Sequence, residues 1–454
     1  MSNDRPPIRK ANVIKDVYYA VSSARALSVE ELDKFYYNTD SVRSDVSAKG
    51  KLAKIIRKSA ADGVNSHILF VGARGAGKST ELNHLQKDLQ SDIAVINYSV
   101  MEELDPQNIN YIELFIVTME KLFKYAEENS LNIPEDFLKR ITDWTNTKEI
   151  KTVKEKHLSA EVEAGLKAKI GLPYLLELFA QFKGTAKASR SFKETLTDNV
   201  EPRLGELIRL CNELFSEIRI AIRRHGKDDI LIIIEDLDKV QQEVATSLFI
   251  KHAEQLVSLQ ANIIYTYPVA LYYNARYKSI TNYFSKVEEL PMIKIKNKDG
   301  ELYEEGIMAL TWLVHNRINA ALFANEAVLR NMILMTGGVL WDLFRMIDDA
   351  ADYAEDKGGA SIGNDEYGYA YRQLMKQYRN TIADYRDDKG NFIKASKFYE
   401  ELAMVANSAD KQPENTDELL LLRQNLCVLS YNGENWCDVH PAIKQTLLEK
   451  GLLN

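Results

Sequence analysis

The chain has 454 residues, of which 45% are apolar and 27% charged, with a formal net charge of −8. That size and balance imply two or three globular domains and exclude a largely disordered chain, while the acidic surplus excludes one broad basic face laid along nucleic acid. Three cysteines, Cys211, Cys427 and Cys437, are too few and too scattered for a disulfide framework or a zinc site, and read as reduced thiols of a cytoplasmic protein.

In chain order, residues 1–50 form a polar N-terminal segment with weak helical periodicity over Ala26–Phe35. Its first residues, MSNDRPPIRKANVIKD, lack the apolar core of a signal peptide. Ser47–Ser59 reads as an amphipathic helix, with Leu52, Ile55 and Ile56 on one face and Lys51, Lys54, Arg57 and Lys58 on the other. Strands are expected at His67–Val71, Ile93–Tyr98, Ile230–Ile234, Asn262–Thr266 and Val287–Ile295. Helices are expected at Thr80–Leu89, Asn108–Glu128, Pro202–Arg224 and Gln242–Ser258. The longest purely aliphatic stretch, Ile230–Ile234, suits a strand buried on both faces and falls far short of the ~18 residues a membrane span needs. Residues 130–200 read as an insertion, in which Glu161-Val162-Glu163 and Lys167-Ala168-Lys169 flank Gly165 as a hairpin or an irregular surface helix. Alternating strands and helices imply an α/β core with a parallel sheet covered on both faces. This core spans residues 51–298, followed by a helical lid (299–358), a Gly-rich break at Lys357–Gly363 and a C-terminal domain (359–454). The last forty residues read helix, strand, turn, strand, helix: Asp417–Asn425, Val428–Ser430, Asn432–Gly433, Trp436–Val439 and Ala442–Lys450.

Gly72-Ala73-Arg74-Gly75-Ala76-Gly77-Lys78-Ser79 matches GxxxxGK(S/T) at every fixed position, between an apolar strand and a helix. Glycines let the backbone curl so that successive N–H groups face a phosphate, and the helix N-terminus adds its positive dipole end. In this layout Lys78 carries charge to the β- and γ-phosphates and the Ser79 hydroxyl ligates Mg2+. The motif therefore predicts binding of a nucleoside triphosphate, ATP with Mg2+, by Gly72–Ser79 with Thr80 alongside. Hydrolysis also needs carboxylates at the end of a neighbouring strand. Ile230–Ile234 supplies them in Glu235 and Asp236, at the strand ends where ligands of such sheets bind. By spacing Glu235 takes the magnesium shell and Asp236 the attacking water, and Asp238 is placed to share that role.

With these motifs in place, the sequence resembles the AAA+/STAND group of additional-strand P-loop ATPases, most nearly the archaeal-type and origin-recognition-like ATPases that end in a winged helix. Asp236-Leu237-Asp238 resembles the second motif of KAP-like relatives. The resemblance implies a three-layer P-loop core, a helical lid and a winged-helix-like C-terminal domain. It places Thr266 as sensor of the γ-phosphate and aligns Gly337-Gly338-Val339-Leu340-Trp341-Asp342-Leu343-Phe344-Arg345 with the GGxxRDL lid motif. Trp341 stands at the usual arginine position, and Arg345, one turn later, is the candidate to reach the phosphates. Arg276 is the candidate arginine finger, and His440 is read as a helix cap or a nucleotide-state contact. The implied function is an ATP-hydrolysing regulatory switch, for instance in prokaryotic antiphage defence, acting with a separate protein effector or as a homo-oligomer. The alternatives are a DNA-remodelling ATPase, which the sparse basic residues of the C-terminal segment (Arg423, Lys444, Lys450) disfavour, and an ATP-binding scaffold with little turnover. No membrane association is expected.

Overall fold

The computed structural model describes residues 7–453 apart from 22–24, 160–161, 163–164, 167–168, 387–389, 391, 409 and 432–435, and it leaves the side chains of 276, 277 and 281 unplaced. Five strands, β1 (His67–Val71), β2 (Ile93–Ser99), β3 (Asp229–Glu235), β4 (Asn262–Tyr267) and β5 (Lys286–Glu289), form one sheet. The order is β2-β3-β4-β1-β5, with every neighbouring pair parallel. Thus β4 separates β1 from β3, the additional-strand arrangement of a P-loop NTPase fold.

Side chains of a strand alternate between faces, and here the alternation divides the core in two. Ile68, Phe70, Leu231, Ile233 and Ile264 face a cluster shared with the P-loop helix, the N-terminal segment, the lid and the C-terminal residues. Leu69, Val71, Ile230, Ile232, Ile234 and Ile263 face a second cluster, built with Tyr111–Glu128, Leu204–Arg223 and the insertion helices. The insertion is helical where described, at Glu135–Thr145, Lys148–His157, Leu172–Ala188 and Arg190–Val200. Most of the 161–169 hairpin reading lies outside the described residues.

Local chemistry explains where elements depart from the sequence pattern. The helix expected from Asn108 starts at Tyr111, because Asn110 and Glu113 form a reciprocal capping box. The strand expected over Val287–Ile295 ends at Glu289: Pro291 has no N–H for the ladder, and its carbonyl instead accepts from Arg43 Nη1 at 2.6 Å. Ala26–Phe35 is helical only over Leu32–Phe35, since Glu31 takes the Ser28 and Ile8 N–H groups and the Arg25 guanidinium into a turn. The helix Gln242–Ser258 is broken by a π-turn at Ser247–Lys251.

The N-terminal segment is not a separate appendage. Ala11 forms a parallel bridge with Ile318 in the lid, and Ile14, Val17, Ala20 and Val21 are buried in the same core as the lid helix Leu340–Asp356. The lid also contains helices Glu304–Arg317 and Glu326–Met335. The break at Lys357–Gly363 joins Leu340–Asp356 to Asn364–Thr381 as a helical hairpin, with Tyr353 stacked on Tyr369 at 4.5 Å. Helices Ala395–Asn407 and Asp417–Gln424, an antiparallel hairpin of Val428–Tyr431 with Trp436–Val439, and helix Pro441–Glu449 complete the chain. Among the described residues no helix is long and apolar enough to cross a membrane.

Candidate nucleotide site

β1 delivers the chain into the loop Gly72–Gly77, and the helix Lys78–Leu89 starts immediately after it. Gly75 and Gly77 adopt φ of 75° and 101°, which suits glycine alone, so the sequence pattern and the backbone curl agree. A Cβ on Gly72 would come within 2.9 Å of the Leu290 carbonyl oxygen, so this glycine lets the loop lie against the end of β5. Lys78 is buried; its Nζ donates to the carbonyls of Gly72 (2.6 Å) and Ala73 (3.0 Å) and pairs with Asp238 at 2.9 Å.

β3 brings the acids to that lysine. Glu235 is buried, accepts from Asn97 Nδ2 at 2.9 Å and meets the Ser79 hydroxyl. Burial pushes its carboxyl up to about 7 against the opposing bonds from Ser79 and Asn97. Asp236 adopts φ of 69°, a left-handed turn that hands its carboxylate to Lys239 (2.5 Å) and to the Ser99 hydroxyl. Asp238 is therefore the acid ion-paired with Lys78. Burial raises the Asp238 carboxyl, but Lys78, Lys239 and a bond from Thr266 more than offset it, so it lies below the usual carboxylate range. Thr266, on the intervening β4, accepts from Leu237 N–H at 3.0 Å. The structure thus joins Lys78, Ser79, Glu235, Asp238 and Thr266, with Asp236 at the rim.

Around this cluster the N-terminal segment forms a collar that the sequence did not reveal. Arg43 is buried, and its guanidinium donates to Ala76 O (2.7 Å), Pro291 O (2.6 Å) and Thr39 Oγ1 (2.9 Å), tying the loop to the end of the sheet. Thr80 Oγ1 accepts from Leu27 N–H at 3.2 Å and Tyr36 OH reaches Glu81 at 3.1 Å. Arg43 lies in a polar stretch without motif or period, and only the fold reveals its partners.

The lid approaches the loop with apolar residues. A Cβ on Gly75 would meet Trp341 Cβ at 2.6 Å, Leu340 Cδ1 lies 3.5 Å from the Cβ position of Gly77, and Arg74 stands over the Trp341 ring at 6.0 Å. Arg345 does not join them: one turn further along the same helix, its Nη1 donates to Gln377 Oε1 at 2.5 Å on the following helix. The side chain of Arg276 lies outside the described residues. His440 caps the last helix, accepting from Ala442 N–H at 3.2 Å, and its Nε2 stands 3.2 Å from Asp342 of the lid.

The oxygen donors of Ser79 and Glu235 fit Mg2+, a hard cation that is held by one or two protein groups plus phosphate. Burial outweighs the pull of Lys239 and holds the Glu235 carboxyl at about 7, and the neighbouring Asn97 Oδ1 is buried without a partner. Among the described residues no cluster of three or more acidic, histidine or cysteine side chains is placed to hold a metal ion.

Sheet order, loop and acid-bearing strand together define a P-loop NTPase fold with the residues for nucleotide binding. Residues 47–262 match the family model described as the KAP family P-loop domain. No curated protein sequence matches the chain significantly. Similar solved structures include the RuvB Holliday junction branch migration motor of Thermotoga maritima, at 12% identity over 91% of this chain and 98% of that one, with a TM-score of 0.34. The ORC2 protein of Aeropyrum pernix aligns at 9% identity over 89% and 92%, with a TM-score of 0.37. A Walker-type ATPase of Pyrococcus abyssi aligns at 12% over 89% and 96%, with a TM-score of 0.39.

Proposed function

We propose that this chain is an ATP-hydrolysing regulatory switch of the AAA+/STAND type. The observation that carries this reading is the Lys78–Asp238 ion pair, at 2.9 Å, beside Glu235 on the strand next but one to β1. Gly72–Ser79 binds the triphosphate, and Ser79 with Glu235 holds Mg2+, which neutralises phosphate charge. Phosphate oxygens compete with Asp238 for Lys78, so ATP frees that carboxylate. Asp238, below the usual carboxylate range and bonded by Thr266, then accepts the proton of the attacking water, a role that spacing alone gave to Asp236. The lid carries the state of the loop outward through Leu340 and Trp341 to the C-terminal residues, which act as a winged-helix-like docking module. The output of such a switch would be a cytoplasmic signalling or antiphage role, with a protein effector or with further copies of this chain.

Phosphate release from Mg-ATP tests the reading. Asp238→Asn is expected to lower kcat about 100-fold or more with ATP still bound, and Asp236→Asn about 10-fold or less, in line with loss of a general base. Lys78→Met is expected to lose ATP binding. A wild-type rate no higher than that of Asp238→Asn, with nucleotide bound, would make the chain an ATP-binding scaffold. The placement of Arg345 away from the loop and of Trp341 upon it favours that second reading.

A further inference from the structure

Away from the nucleotide site, three lysines from three parts of the chain converge on one carboxylate. Asp438, in the strand Trp436–Val439, is ion-paired by Lys296, by Lys444 at 2.8 Å and by Lys411 at 3.6 Å. Lys296 lies on the segment leaving β5, Lys411 precedes the helix Asp417–Gln424, and Lys444 is on the last helix. These side chains are not a solvated fringe: Lys296 and Lys411 retain only 15% of their accessibility, Lys444 33% and Asp438 5%. Asp410 accepts from Ser408 and the Gln412 N–H and has Lys298 beside it, both exposed at the edge of the cluster. Among the described residues three ammonium groups thus stand against the Asp438 carboxylate.

One carboxylate neutralises one ammonium, so the arrangement keeps about two positive charges in a half-enclosed space where water screens poorly. Burial pulls the Lys296 ammonium below its usual range; Asp438 pulls it back, while Lys444 and Lys411 repel it. Lysine side chains are long and lose rotamer freedom when held, and the Asp438 carboxylate offsets the charge of only one of the three. A dianion would offset the rest.

We propose that Lys296, Lys411 and Lys444, framing Asp438, form a binding site for a small phosphate-bearing ligand, separate from the P-loop. Lysine ammoniums bind phosphate oxygens as point charges, and the site is too enclosed to track an extended backbone. The ligand would also tie the C-terminal hairpin to the ATPase core. Met292, on the same segment as Lys296, bridges Tyr431, and the Ile293 carbonyl lies 2.2 Å from the Cβ position of Gly338 in the lid turn. The site therefore sits where a phosphate group would stiffen the joint between core, lid and C-terminal residues, whatever the P-loop does.

The test is isothermal titration of the full chain with pyrophosphate at constant ionic strength. Lys78→Met with Asp238→Asn serves as background, because it removes the loop's charge without leaving a bare buried acid. Saturable binding of one pyrophosphate per chain is expected, weakened about tenfold or more by Lys444→Gln and by Lys411→Gln and restored in part by Lys444→Arg. Both lysines reach the surface, and unchanged unliganded melting temperatures would show that the variants fold. Absence of saturable binding in the background chain, or affinity unchanged in both glutamine variants, overturns the proposal. So does lysine-dependent binding of a short DNA duplex without binding of pyrophosphate.

Discussion

Two glycine turns face each other through the lid, and they use glycine for opposite reasons. In the phosphate loop Gly75 and Gly77 take φ of 75° and 101°, and a Cβ on Gly77 would meet only the ends of Arg43 and Leu340, both at 3.5 Å. In the lid turn Gly337 and Gly338 take φ of 63° and 89°, but a Cβ on Gly338 would lie 2.2 Å from the Ile293 carbonyl oxygen. Gly337 is pressed by Leu429 at 2.5 Å and Pro441 at 2.9 Å, and its own carbonyl accepts from Tyr431 OH at 2.7 Å. Gly77 is walled by side-chain ends that can swing away for a ligand, whereas the lid turn is locked by backbone and by the C-terminal hairpin. Nucleotide exchange therefore calls for motion of Trp341 and Leu340 over the loop, with the lid turn as the fixed point.

Substitution at the locked turn is the strongest way to break this comparison. Gly338→Ala is expected to destabilise the chain by about 3 kcal/mol, the sum of overpacking against a carbonyl and a disfavoured φ. Gly63→Ala, at φ of 65° with nothing near its Cβ position, should cost about 1 kcal/mol. Urea unfolding measures both; equal losses would show that the lid turn is not locked.

A smaller effect is expected from the contact that fixes the other side of the lid. Asp342, next to Trp341, accepts Tyr378 OH at 2.6 Å, and His440 Nε2 stands 3.2 Å from the same oxygen. Because His440 Nδ1 accepts the Ala442 N–H, its proton is assigned to Nε2, pointing at Asp342. Tyr378 stacks on His440 at 4.1 Å, and all three side chains are buried. Asp342→Ala should cost about 2 kcal/mol, since it leaves the buried Tyr378 hydroxyl unpaired and removes the carboxylate that faces His440. It should also loosen Trp341 on Gly75, read as faster nucleotide release in stopped flow. An unchanged release rate would place the latch outside the nucleotide response.

The parts legible in the sequence are those where one residue type has one structural use. The loop Gly72–Ser79 and the strand Ile230–Ile234 could be placed because a left-handed curl demands glycine and a doubly covered strand demands aliphatic residues. The position of β4 between β1 and β3 followed from the resemblance, since pairing order leaves no local trace. The partners of Arg345 and Asp236 left no trace in spacing: Asp236 turns to Lys239 through a positive φ at a non-glycine residue, and Arg345 bonds Gln377 on the following helix. Arg43 left no signal, because its carbonyl partners, Ala76 and Pro291, are backbone groups that any sequence would offer.

The finest test of the open loop is its response to pH. Burial holds Glu235 at about 7 in the folded chain, against 4.5 when exposed. Mg2+ binds the carboxylate, so a proton competes with the metal below that value. Magnesium affinity with bound nucleotide should fall about fivefold from pH 7 to pH 6, equivalent to about 1 kcal/mol. Glu235→Gln should lack this component; the nucleotide's own titration is common to both chains, so the difference isolates the side chain. In the metal-free protein the sign reverses. The raised carboxyl favours the folded state fully below 4.5, and that advantage is lost as pH climbs through 7. Metal-free stability relative to Glu235→Gln should therefore decline across that window while magnesium affinity rises. Parallel trends in the two measurements would remove Glu235 from the metal shell.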